Sequence, residues 1–81
     1  MENKLIIGPF AEEDIKQAKG YYEMQKDGLG DEFMEDMEQT IKKIVQNPLQ
    51  YPKAKKDMRK AGLNRFPYGI FYIFKSSVVN V

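Results

Sequence analysis

The sequence predicts a small α+β domain in which a strand and a helical hairpin precede an antiparallel sheet, in the order β-α-α-β-β-β. Two stretches in its first half repeat apolar residues at spacings of three and four, as amphipathic helices do. A short β-branched run precedes them, and apolar runs separated by turn residues fill the last third, as in strands. With 81 residues the chain has room for a single domain, residues 1–81.

The first strand is expected from Asn3 to Ile7, because Gly8-Pro9 ends this run and favours a turn into a helix. The first helix is expected to end near Gln25, and carboxylates at positions 12 to 14 suit the positive end of its dipole. Its apolar stripe consists of Ala11, Ile15, Ala18 and Tyr22.

A second helix follows a corner at Gly28-Leu29-Gly30, with Asp31 as its expected N-cap and Asn47-Pro48 as its end. Its stripe consists of Phe33 or Met34, Met37, Ile41, Ile44 and Val45. The connection is short, so the two helices are expected to lie antiparallel. The carboxylates Glu35, Asp36 and Glu38 are interpreted as a solvated face and not as metal ligands, and no cofactor or metal is expected.

Three strands are expected after a proline-containing loop. The first, from Arg59 to Asn64, alternates loosely, while Phe66 to Phe74 is apolar on both faces and is predicted to be central. A turn at Lys75-Ser76-Ser77 leads to the last strand, Val78 to Val81. Because each helix has one apolar stripe, the hairpin is expected to pack on one face of the sheet.

The net charge of +1 hides a strong asymmetry along the chain. Residues 1–40 carry 4 lysines against 11 acidic residues, a net charge of −7, whereas residues 41–81 carry 9 basic residues against 1 acidic residue, a net charge of +8. Such a division predicts one surface for an anionic partner and another for a basic one, with an ordinary solvated surface as the alternative.

The absence of cysteine and histidine limits the cellular compartment and the catalytic chemistry that can be expected. Without cysteine there is no disulfide, which favours the cytoplasm, and no stretch is long and apolar enough for a membrane span. Without histidine or cysteine, any catalysis would depend on Lys, Arg, Tyr or carboxylates.

An ordered set of short motifs resembles the plasmid-stabilisation, ParE-like branch of the RelE/ParE toxin superfamily. The motifs are Asp14-Ile15, Tyr21-Tyr22, Gly28-Leu29-Gly30-Asp31-Glu32-Phe33, Asn47-Pro48, Tyr51-Pro52, Arg59, Phe66-Pro67-Tyr68, Ile70 and Tyr72. The resemblance covers nearly the whole chain and implies the toxin of a bacterial type II toxin-antitoxin pair. By comparison with the family, the chain lacks the end of the last strand and the C-terminal tail.

The resemblance implies three alternative functions. The first is growth inhibition by binding a target such as DNA gyrase, with neutralisation by a cognate antitoxin. The second is ribosome-dependent cleavage of messenger RNA, although Gly62 and Gly69 stand where the nucleases carry Lys and Arg. The third is an inactive or shortened relative that only binds an antitoxin. A homodimer or a heterotetramer with the antitoxin is compatible with each function.

The basic segment before the aromatic strand holds the candidate site residues. Contacts to the target or to nucleic acid are expected from Lys53, Lys55, Lys56, Arg59, Lys60 and Arg65. If the protein is an enzyme, the catalytic candidates are Lys60, Arg59 and Arg65 for phosphate neutralisation, with Tyr68 or Tyr72 for proton transfer.

Overall fold

A computed structural model describes residues 3–81 and confirms the α+β class and the helical hairpin between the first strand and the later ones. The elements are β1 (Lys4–Ile6), α1 (Pro9–Gln25), α2 (Leu29–Gln46), β2 (Lys53–Lys55), β3 (Met58–Gly62), β4 (Gly69–Lys75) and β5 (Val78–Asn80). The short strand β2 is additional to the predicted order. It lies in the basic segment directly after Pro52 and has no apolar alternation that would predict it.

The five strands form one sheet in the order β1-β5-β4-β3-β2. Neighbouring strands from β2 to β5 are antiparallel, but β1 pairs with β5 in parallel, so the sheet is mixed and not wholly antiparallel as expected. Parallel neighbours need a long crossover connection, and here everything from α1 to β4 lies between the two strands. The first and last strands within residues 3–81 are therefore neighbours in the sheet, although they lie far apart in the sequence.

The core lies between α2 and one face of the sheet. Its buried apolar residues are Phe33, Met37 and Ile44 from α2 and Ala61, Ile70, Tyr72 and Val79 from the strands. Helix α1 has no fully buried residue and contributes half-buried side chains such as Ile15 and Tyr22. The hairpin thus packs on one face of the sheet, as predicted, with α2 as the inner helix.

The corner between the helices differs from the prediction in its capping residue. The N-cap of α2 is Gly28, with a left-handed φ of 86°, and not Asp31, which lies exposed in the first turn. A glycine has no side chain with which to cap, and the carboxylate of Glu23 in α1 takes that role. It accepts the backbone N–H groups of Gly28 and Gly30, each at 3.0 Å.

Asp36 is buried, whereas the sequence pattern predicts that it lies on a solvated face with Glu35 and Glu38. Its carboxylate accepts the backbone N–H of Asn64 at 3.2 Å and that of Arg65 at 2.9 Å. The prediction is wrong for this residue because the buried stripe of α2 is wide enough to include it. Glu35 and Glu38 are exposed, as expected.

The aromatic strand begins later and is less covered than predicted. Strand β4 starts at Gly69, because the chain bends before it and turns Phe66 into contact with Tyr22, with ring centroids 4.8 Å apart. The helical hairpin covers only one face of β4. On the other face the side chains of Phe71 and Ile73 remain 47% and 39% exposed.

Candidate functional site

The sheet surface that faces away from the helices is the candidate site, and we call it the outer face. Side chains alternate across a strand, and burial separates the two faces of β4: Ile70 and Tyr72 are buried, while Phe71 and Ile73 are exposed. In β3 the buried Ala61 likewise lies between exposed neighbours.

The strand register aligns the outer-face residues in rows. One row pairs Lys60 with Phe71. The next row runs Met58, Ile73, Asn80 and Ile6, with Lys55 paired to Met58 at its far end, and the last row runs Lys75, Val78 and Lys4. An apolar centre with one exposed aromatic ring is thus surrounded by the four lysines Lys4, Lys55, Lys60 and Lys75.

The charge asymmetry of the sequence corresponds to the two layers of the fold. The five strands carry six Lys or Arg residues and no Asp or Glu, whereas the two helices carry nine Asp or Glu against four Lys. Asp57, in the turn after β2, makes an exposed 3.9 Å ion pair with Lys53, a type of contact that contributes little stability. The outer face therefore has a positive potential and the helical layer a negative one.

Lys60 lies over the start of β4, at one end of the outer face. A Cβ atom at Gly69 would be only 2.5 Å from Cε of Lys60, so the lysine stem passes over β4 where a glycine leaves room for it. Its Nζ is 5.5 Å from the centroid of the Phe71 ring, within the range of a cation-π contact. An open depression of about 420 Å³ beside this lysine extends towards Tyr68.

Arg59 lies on the opposite side of β3 from Lys60. It is half-buried, and its Nη1 donates a 2.6 Å hydrogen bond to the carbonyl of Tyr51, in the loop between α2 and β2. This contact attaches the loop to the sheet.

Arg65 is also engaged away from the outer face. Its guanidinium forms a 3.5 Å ion pair with Glu32 of α2, and its backbone N–H binds Asp36. The structure brings two pairs of catalytic candidates together: Lys60 with Tyr68 around the depression beside β4, and Arg59 with Tyr72 as cross-strand partners on the side of the sheet that faces the helices.

The two tyrosine candidates differ in their surroundings. Tyr68 is half-buried with its ring 5.2 Å from that of Phe33, and burial, with a smaller effect from the charge of Asp14, raises the pKa of its phenol. Tyr72 is buried, and its hydroxyl donates a 2.5 Å hydrogen bond to the carbonyl of Pro48. Burial raises the pKa of Tyr72 as well, and its phenol connects the sheet to the end of α2.

The other predicted contact residues are all exposed. Lys53 and Lys55 belong to the edge strand β2, and Lys56 begins the following turn with a positive φ of 48°. In residues 3–81 no three His, Cys, Asp or Glu side chains are grouped to hold a metal ion.

Sequence reasoning named only Lys55 and Lys60 of the outer-face residues and missed the others, among them Phe71, Lys75 and Lys4. Period-two alternation through Gly69–Lys75 already places Phe71 and Lys75 on one face, so the signal for these two is present in the sequence. Lys4 joins them only through the parallel pairing of β1 with β5, for which the sequence has no local signal.

Neither α-helix within residues 3–81 has the length and apolarity that a membrane span requires. No protein-family model matches the chain, and no curated protein is significantly similar to it in sequence.

Proposed function

We propose that this chain is the toxin of a bacterial type II toxin-antitoxin pair and that it inhibits growth by binding its target through the outer face. One observation carries the proposal: four lysines surround an exposed apolar centre on a sheet whose strands contain no acidic residue. Exposed apolar patches with a polar rim are typical of interaction sites. The toxin assignment itself comes from the motif resemblance, and the protein would act in the cytoplasm.

The chemistry of these side chains favours binding over catalysis. Lysine side chains attract anionic groups, and apolar side chains pack against the apolar surface of a partner. Proton transfer near neutral pH instead needs a group that titrates in that range. Tyr68, the nearest candidate, has a pKa raised above its ordinary value, so its phenol stays protonated at pH 7. A non-catalytic inhibitor of a target such as DNA gyrase therefore fits the outer face best.

One observation favours a second candidate, contact with messenger RNA. Phe71 is an exposed ring with a lysine ammonium 5.5 Å from its centroid, so a base could stack on the ring while the ammonium neutralises a neighbouring phosphate. In this case the protein would be an endoribonuclease of the RelE type, with Lys60 as its main phosphate contact.

A cognate antitoxin would silence the protein by covering the same surface. An acidic segment that becomes ordered on binding would match the lysines by charge and would bury the apolar centre. Binding of an antitoxin without any effect on growth would instead identify the chain as an inactive relative.

A growth assay with charge-matched variants tests the role of the outer face. We expect induced wild-type protein to stop bacterial growth and Lys60→Glu/Lys75→Glu to lose this effect, because the double change reverses two of the four outer-face lysines. The control Lys16→Glu/Lys26→Glu makes the same charge change on exposed residues of α1 and of its C-cap and should remain toxic. Equal toxicity of both double variants would contradict the proposal.

Two assays on the purified protein separate the candidate targets. Inhibition of DNA supercoiling without loss of translation supports the gyrase target. Cleavage of messenger RNA in a translation extract, with loss of activity in Phe71→Ala but not in Met24→Ala, supports the second candidate. Met24 is 89% exposed on α1 and serves as the apolar control.

A further inference from the structure

Strand β1 is an edge of the sheet, and its hydrogen-bonding groups alternate between β5 and the free side. Lys4 donates its N–H to the carbonyl of Ser77, and the carbonyl of Ile6 accepts the N–H of Val81, each at 2.9 Å. The N–H and C=O groups of Leu5 and Ile7 therefore point to the free edge, where no strand of residues 3–81 pairs with them.

The side chains of this edge are apolar and border an open groove. Leu5 and Ile7 are 37% and 36% exposed, and together with Ile41 and Val45 of α2 they line a groove of about 780 Å³. Natural proteins usually protect edge strands with charges, prolines or bulges, because an unprotected apolar edge pairs with other chains. The side of β1 that faces the groove has none of these protections.

We propose that this edge is the interface for a second copy of the chain, which pairs antiparallel with β1 about a two-fold axis at Leu5. In that register the two Leu5 residues face each other and exchange both backbone hydrogen bonds. Lys4 then lies opposite Ile6 of the second copy, so the interface avoids a pair of like charges. A self-complementary patch of this kind is what a two-fold dimer requires.

Helix α2 lies beside the groove, and its direction relative to β1 determines which of its residues a second copy would meet. The side chain of Asn3 donates a 2.8 Å hydrogen bond to the carbonyl of Val45, which places the end of α2 beside the start of β1. Helix α2 therefore runs antiparallel to β1, and Ile41 lies roughly level with Leu5 on the basis of the rise per residue in helices and strands.

A two-fold axis at Leu5 brings the two α2 helices together in opposite directions. Glu38 and Lys42, which both line the groove, lie on either side of Ile41. The acidic residue of each copy then comes within about one helical turn of the basic residue of the other. This match of one acid and one base favours a second copy over an acidic antitoxin segment, which would meet Glu38 with like charge.

Charge variants at the two-fold position test the register directly. In sedimentation experiments we expect a wild-type dimer and a dimer at least about tenfold weaker for Leu5→Glu and for Leu5→Lys, because each change removes two apolar contacts and places like charges opposite each other. Mixing the two variants should restore a dimer that contains one chain of each. Ile6→Glu is the control, because its new carboxylate would face Lys4 of the second copy and leave dimerisation intact.

Each result decides for or against this interface, independently of toxicity. Restored dimers in the mixture, with monomers of each variant alone, would confirm the register. A wild-type chain that stays monomeric throughout its soluble concentration range would overturn the proposal, as would a Leu5→Glu variant that dimerises like wild type. An extended antitoxin segment that binds this edge of a monomeric chain would overturn it too.

Discussion

At the residue scale, Asp36 is the one carboxylate of residues 3–81 that is buried. It is 3% exposed and binds two consecutive backbone N–H groups of the loop that leads into β4. Unpaired N–H groups are costly when they are removed from water, so this carboxylate lets the loop pack against α2.

Removing the Asp36 carboxylate should therefore destabilise the fold. We expect Asp36→Ala to lower the free energy of unfolding by about 1–3 kcal/mol, since it leaves two partly buried donors without an acceptor. Denaturant titration monitored by circular dichroism measures the change. Glu35→Ala, at the exposed neighbouring position, is the control and should have little effect, so equal losses for the two variants would refute this role for Asp36.

Two glycines of the hairpin should respond in opposite directions to the same substitution. Gly28 has a φ of 86°, a conformation that strains any residue with a Cβ. Gly20 lies inside α1, and no neighbouring atom comes within 4 Å of the position that a Cβ would occupy there.

We expect Gly28→Ala to destabilise the protein by about 1 kcal/mol because of backbone strain. Gly20→Ala should stabilise it by about 0.5–1 kcal/mol, because alanine has a higher helix propensity than glycine. Thermal unfolding of the two variants beside wild type checks the signs. A neutral result at Gly28 would mean that the corner adapts without strain.

At the element scale, α2 begins with a cap supplied by another helix. Two hydrogen bonds, donated by the backbone N–H groups of Gly28 and Gly30, hold the pKa of the Glu23 carboxyl below its ordinary value. A lowered pKa in the folded state means that the carboxylate stabilises the fold above the unfolded pKa, about 4.3, and that this contribution disappears as the pH falls through the lowered folded value.

Glu23→Gln should accordingly reduce stability at pH 7 and match wild type in strongly acidic solution. Urea titrations of both proteins at a series of pH values between 7 and 2 give the difference, which isolates Glu23 from the other carboxylates. A constant difference at every pH would show that Glu23 acts through packing and not through its charge.

The elements also show what sequence reasoning can and cannot reach. Both helices and the hairpin strands β3 to β5 follow from period and turn residues, which are local signals. Strand β2 has only three residues, and the late start of β4 results from the attraction of Phe66 to the Tyr22 and Phe33 rings. The position of Phe66 depends on residues distant in sequence, whereas the capping of α2 by Glu23 and the loop contact of Arg59 join residues five to eight positions apart through side-chain geometry that an apolar period does not report.

At the scale of the whole molecule, the fold converts a charge difference between two halves of the sequence into a charge difference between two layers of the structure. The acidic half forms the helical layer and most of the basic half forms the sheet, so the molecule has two electrostatically different sides. Arg59 and Arg65 come from the basic half, but Arg59 donates to the carbonyl of Tyr51 and Arg65 forms an exposed ion pair with Glu32 of the helical layer. A net charge of +1 therefore describes neither side.

The parallel pairing of β1 with β5 also determines when the domain is completed during synthesis. Lys4 pairs with Val78, so β1 has no partner strand in the sheet until β5 has been synthesised. Pairing across such a separation carries a large loop-closure cost and is slow. In a nascent chain Leu5 and Ile7 have no neighbouring strand, and the complete outer face, to which β1 and β5 both contribute, exists only after Val78–Asn80 has been translated.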